Sequence, residues 1–96
     1  MGCHSGVTTV QALKNQVGTL SASSQIITVL QTTLRAVEVA LGTGRNKAAR
    51  DGITLFIAQL VIASNLAPGT RDQIALAGAN PLICGAANVL IAIDPK

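Results

Sequence analysis

One phenylalanine, at position 56, is the whole aromatic content of this 96-residue chain, which has no Tyr and no Trp. Protein cores and small-molecule pockets usually take much of their buried area from aromatic rings. Here the interior has to be assembled from Leu, Ile, Val and Ala. That set suits close-packed helices, because small side chains let backbones approach. Supply is not the difficulty. Hydrophobic residues make up 49% of the chain and charged residues 11%, against about 25% charged in an ordinary soluble domain. Disorder needs the opposite balance, so the chain is expected to fold, and its length suits one domain. With so few charges, either Ser, Thr, Asn and Gln cover the surface, or a partner covers part of it.

The apolar residues recur at helical spacing. Residues 1–5 read as a flexible arm and 6–96 as one bundle domain. A first helix carries Val7, Val10, Leu13, Val17 and Leu20, with Ser5 or Thr8 as its cap. A second, capped by Ser24, repeats Ile27, Leu30, Leu34, Val37 and Leu41, with Gly42 at the position that favours a left-handed glycine. Its many β-branched residues suggest a strand, but about 17 residues is too long for one. A third helix, capped by Thr43 or Asn46, runs to about Leu66. It places Ala49, Ile53, Phe56, Leu60 and Ala63 on one face and Leu55, Ile62 and Leu66 on another. A helix apolar on most sides is expected at the centre of a fold. Pro68-Gly69 marks a turn. Thr70-Arg71-Asp72-Gln73 has the form of a capping box before a short helix ending at Gly78. Asn80-Pro81 then opens a last helix with Pro at its first position. The expectation is an all-α, compact five-helix bundle, dimeric, with short loops and antiparallel neighbours.

Catalytic chemistry finds little support. Glu38, Asp51, Asp72 and Asp94 fall in or beside different helices. Asp51 and Asp72 are expected in first turns, where they complement the helix dipole. Arg35 and Glu38 are spaced as a surface pair. The single histidine, His4, lies in the arm, without the held orientation a general base needs. No catalytic residue, metal site or cofactor is expected. Gly2-Cys3-His4 would offer a square-planar copper or nickel site only once Met1 is removed. The myristoylation pattern fails at Gly6. Leu41 to Lys47 is an interhelical turn without phosphate-loop spacing. The net charge is +3, with a modest basic cluster at Arg45, Lys47, Arg50 and, farther on, Arg71. Nucleic-acid binders add a basic stripe or stacking aromatics, so nucleic acid is not an expected partner. No apolar run reaches the roughly 18 residues of a membrane span, and the first residues do not read as a signal peptide. With one His and few acids, salt at Arg45, Lys47 and Arg50 is a better lever on stability than pH.

The two cysteines, Cys3 and Cys84, have no zinc spacing. Three states are open for Cys84: a bond to Cys3, a bond to its own copy in a second chain, or a free buried thiol. A two-fold interface brings identical residues together, which favours the second. The last helix itself points to a second chain. Leu82, Ile83, Ala86, Ala87, Leu90 and Ile91 leave almost no polar face, and the third helix already claims the centre. A homodimer interface on these six residues would supply the missing cover.

The segment Asn80-Pro81-Leu82-Ile83-Cys84-Gly85-Ala86-Ala87-Asn88-Val89-Leu90-Ile91-Ala92 resembles the last part of the non-repetitive C-terminal domains of silk proteins. Both spider silks and insect silks, such as egg-stalk silks, are of this kind. The resemblance implies a secreted, extracellular five-helix domain that dimerises through its late helix, with Cys84 as an interchain disulfide. It also implies control of solubility and self-assembly for a fibre protein, with that protein's repetitive region as a partner. The alternative function is a small helical carrier of lipid or another apolar ligand.

Overall fold

A computed structural model describes residues 9–20, 22–67, 69–70 and 73–93, with the backbone alone at 76 and 77. The described residues form four α-helices and no strand: α1 (Val10–Gly18), α2 (Ser24–Gly42), α3 (Asn46–Ser64) and α4 (Leu76–Ala92). The expected all-α class holds, with four helices in place of five. The proposed arm, Ser5, Val7, Thr8 and most of the charged part of the capping box lie outside the described residues.

Each helix start and stop has a local cause. Thr9 caps α1, its hydroxyl accepting from Ala12 N–H at 3.2 Å. Ser23, one residue before the expected Ser24, caps α2 by accepting from Ile26 N–H at 3.3 Å. Neither Thr43 nor Asn46 caps α3; Arg45 holds that position, without a side-chain cap bond. The end of α2 also differs from expectation. Gly42 is still helical, and the left-handed residue is Gly44, at φ 75°. Gly44 N–H donates to Leu41 O (3.2 Å) and Arg45 N–H to Ala40 O (2.8 Å). This pair of bonds closes a Schellman motif and satisfies carbonyls that a helix end leaves open.

The expected break at Asn80-Pro81 is absent, and α4 runs through Pro81. Pro81 is in the second turn. The first four N–H groups of a helix have no intrahelical partner, so a proline this early removes one ladder bond, to Ala77 O. That single loss does not divide the helix, which begins at Leu76; residues 73–75 are not helical, and of the expected short fourth helix only 76–78 belong to α4.

The four helices form a ring. α1 packs on α2, α2 on α3, α3 on α4 and α4 on α1. Among the described residues the diagonal pairs make no close backbone approach. Neighbours are antiparallel. Lys14 of α1 reaches Glu38 of α2, while Gly18 lies beside Gln31. Thr33 of α2 bonds Gln59 of α3, while Val37 sits against Gly52. Arg50 of α3 reaches Leu90 and Ile93 of α4, while Ala63 O accepts from Ile74 N–H. Leu20, two residues after α1, meets Gly78 of α4. The result is an up-down-up-down bundle.

The core follows the stripes read from the sequence, with one shift. In α3, Ala49, Ile53, Phe56, Leu60 and Ala63 are all buried. In α2, Leu30, Leu34 and Val37 are buried, but Ala40 and Thr33 complete the stripe, and Leu41 is exposed. The turn at Gly44 carries the end of α2 past the core. α3 is not central as expected: its second face is open, with Leu55 53% and Ile62 65% exposed.

Two glycine substitutions test these assignments. A Cβ on Gly42 meets nothing within 4 Å, so Gly42→Ala is expected to stabilise by about 0.5–1 kcal/mol. Gly44→Ala, forced to keep a positive φ, is expected to destabilise by about 1 kcal/mol or more. Urea unfolding of both variants measures the difference, and the opposite order would move the left-handed position back to Gly42. At Gly52 a Cβ would lie 2.6 Å from Val37 Cγ2. Gly52→Ala is therefore expected to cost about 1–3 kcal/mol, and a double-mutant cycle with Val37→Ala should recover part of that loss.

Candidate functional site

The expected interface residues on α4 do not share a surface. Leu82 is 1% and Ala86 0% exposed, both inside this chain's own core. Ile83, Ala87 and Leu90 are half-buried, and Ile91 is 82% exposed. At 3.6 residues per turn, Ile91 lies roughly opposite Leu82 on the helix. Packing against α1 and α3 already supplies the cover expected of a second chain for Leu82 and Ala86, so those two are withdrawn from an interface.

Cys84 is disulfide-bonded. The other cysteine in the sequence is Cys3, which lies outside the described residues. Of the three states open for Cys84, the free buried thiol is the one this bond removes.

The basic cluster divides. Arg45 and Lys47 are exposed, whereas Arg50 is half-buried. Arg50 Nη1 donates to Leu90 O at 3.0 Å and to Ile93 O at 3.1 Å. These carbonyls belong to the last turn of α4 and the residue after it, where a cation also meets the negative end of the helix dipole. Arg50 is thus a tie between α3 and α4. Glu38 does not pair with Arg35. Its carboxylate accepts from Lys14 Nζ at 2.8 Å, joining α2 to α1. Asp51 falls in the second turn of α3, because that helix begins at Asn46. His4, Asp72, Asp94 and Arg71 are outside the described residues. Among the described residues, no three His, Cys, Asp or Glu come together as a metal-ligand group, and no helix is long and apolar enough to cross a membrane.

Two features offer apolar side chains where something can bind. The first is a cleft of about 570 Å³ at one end of the bundle, lined by Val10, Glu38, Leu41, Asn46, Val89 and Ile93 among others. It gathers the start of α1, the end of α2, the start of α3 and the end of α4. The second is apolar surface. Val39 (61%), Leu55 (53%), Ile62 (65%) and Ile91 (82%) are more exposed than covered, and Val29 (45%) is close behind. Sequence periodicity singled out Leu55 and Ile62 as a second stripe but assigned them to packing inside the chain. Comparison with protein families, curated proteins and solved structures finds no match to this chain.

Two measurements test this placement. Arg50→Gln is expected to destabilise by about 1.5–3 kcal/mol, the range for hydrogen bonds from a charged donor. Amides near the end of α4 should lose hydrogen-exchange protection first. Uniform loss across all four helices would deny Arg50 its local role. For Cys84, the unreduced, denatured chain is expected to migrate as one chain and to take up no maleimide, and to take up label after reduction. A covalent dimer without reductant would restore the interchain bridge.

Proposed function

We propose that this chain is a non-catalytic association domain, a helical bundle whose work is to bring copies of a protein together. The observation that carries this reading is the exposed aliphatic surface on a bundle whose axis is already filled. Among the described residues ten large side chains, from Phe56 to Val37, are less than 2% exposed, yet Val39, Leu55, Ile62 and Ile91 stand out in solvent. Isolated exposed apolar residues are ordinary, but Leu55 and Ile62 are two turns apart on one face of α3, which supports a surface that associates. Its specific form is the one the Asn80–Ala92 resemblance implies: a structural dimerisation domain that keeps a fibre-forming silk protein soluble and directs its self-assembly, beside that protein's repetitive region. The disulfide at Cys84 supports a secreted setting, since such bonds persist in oxidising compartments.

The end cleft is the observation that favours the second reading, a carrier of lipid or another apolar ligand, because Val10, Leu41, Val89 and Ile93 give it apolar walls. Sedimentation velocity over a range of concentrations, with native mass spectrometry of the purified chain, separates the two. A reversible increase in mass with concentration and no bound lipid is expected. A monomer at every concentration that carries lipid would replace the association domain with the carrier.

A further inference from the structure

We infer that the segment ahead of α1, residues 3–8, docks across the outer face of α4 and is pinned there by a bond between Cys3 and Cys84. The inference rests on α4 itself and holds whether or not the chain associates. The core side of α4 carries Leu82, Ala86 and Val89. Cys84 is two residues from Leu82 and two from Ala86, about 160° away around the helix, so it sits on the side turned from the core. Asn88 follows one turn later on the same side. Residues there are expected in solvent, and Asn80 and Ile91 are exposed on that side. Cys84 and Asn88 are instead half-buried. Both are engaged, Cys84 in its disulfide and Asn88 with an interaction partner of its own. Among the described residues, the helices that neighbour α4 are α1 and α3, which flank it and cover its core side. The cover over Cys84 and Asn88 therefore comes from outside the four helices.

Topology brings the occupant to this place. Thr9 and Val10 share a cleft with Val89, Ala92 and Ile93, so the start of α1 stands beside the end of α4. Cys84 lies five residues before Val89, about 7.5 Å back along the axis. The six steps of chain from Thr9 back to Cys3 reach about 20 Å when extended. That is enough to bring the two Cα atoms within the roughly 4.4–6.8 Å that a disulfide requires. Around the helix, Asn88 falls between Ala92 and Cys84, so a route from the cleft to Cys84 crosses Asn88. Ile91 falls on the α3 side of that route and stays 82% exposed. Composition fits as well. Residues 3–8 hold no Lys, Arg, Asp or Glu, and neither does α4 from Pro81 onward. A bridge between two copies of Cys84 would leave the half-burial of Cys84 and Asn88 within one chain without a cause. The bond forms by thiol–disulfide exchange. The two thiols lose two protons and two electrons to a disulfide oxidant, which leaves as two thiols. The loop so closed runs from residue 3 to residue 84 and ties the first helix to the last.

The test begins with the unsubstituted chain. Trypsin cuts after Lys14 and Arg71. Digestion without reductant, read by mass spectrometry, is expected to give residues 1–14 joined to residues 72–96, from a denatured species with the mass of one chain. Two copies of 72–96 joined to each other, or a parent species with the mass of two chains, would overturn the inference. Docking has its own readout. On reduction with dithiothreitol, amide shifts and gains in hydrogen exchange are expected along 84–91 and at 9–13, with Asn88 among the largest. Changes confined to Cys84 and its immediate neighbours would reduce the segment to a tether and overturn its docking on α4. Cys3→Ser is expected to lower the Tm by at least about 10 °C, because a long closed loop is lost from a small domain. The reduced parent should melt with the variant. A Tm within about 2 °C of the oxidised parent would deny the bond its role as a strap.

Discussion

The contact of Gly52 with Val37 sets the terms on which the rest of the bundle is built. A Cβ at residue 52 would come within 2.6 Å of Val37 Cγ2, so glycine there lets α3 lie close against α2. A β-branched side chain has little rotamer freedom with which to move aside. Close approach at this point brings Thr33 and Gln59 within 2.9 Å farther along the seam. The pair satisfies polar groups that would otherwise be costly to bury. With α2 and α3 fixed, the short Schellman turn at Gly44 follows. Phe56, the one aromatic residue, is held on the inner face at 0% exposure.

The closing edge of the ring is held differently. α4 has no charged residue between Pro81 and Ile93 and no side-chain cap at its start. Its end is satisfied from outside, by Arg50 reaching Leu90 O and Ile93 O. Arg presents several N–H donors in a planar fork and keeps its charge at any ordinary pH. On the other side of the ring, Lys14 and Glu38 join α1 to α2 with side chains 26% and 35% exposed. A pair that open to water adds at most about 1 kcal/mol. Aliphatic packing sets stability, and the polar ties set which helices meet and where they end.

Much of this was legible in the sequence, and the misreadings share a cause. The α3 stripe from Ala49 to Ala63 was read residue for residue, because period alone determines which side chains share a face. Period does not say whether a face has a neighbour. Leu55 and Ile62 formed a visible second stripe, yet the ring gives α3 only two neighbouring helices, α2 and α4. Leu82 and Ala86 erred the other way, being assigned to a partner when α1 and α3 already cover them. Gly42 and Gly44 offered two candidate ends for α2, and the bond from Arg45 N–H to Ala40 O selects the later one. Pro81 misled because it suits a helix start and is tolerated in a second turn at the loss of one bond. The ties Lys14–Glu38 and Arg50–Leu90 span 24 and 40 residues, far beyond the reach of local pattern.

The apolar surplus that dominates the composition is therefore divided by geometry. A ring of four helices with empty diagonals offers each helix one inner arc, bounded by its two neighbours. That arc takes Leu30, Leu34 and Val37 from α2, and Ile53, Phe56 and Leu60 from α3. A helix carrying aliphatic residues over more than that arc must leave the excess outside, whatever its sequence. α1 is short, at 9 residues, and shows Gln11, Asn15 and Thr19 to solvent. α2 and α3, at 19 residues each, are where the excess collects: among the described residues, six of the seven large exposed hydrophobic residues lie on them, with Ile91 of α4 the exception. Burying such surface is favourable by about 25 cal/mol per Å², an incentive that no rearrangement within this ring can satisfy. The same seam that closes the core at Gly52 and Val37 leaves Val29 of α2 and Leu55 and Ile62 of α3 outside it.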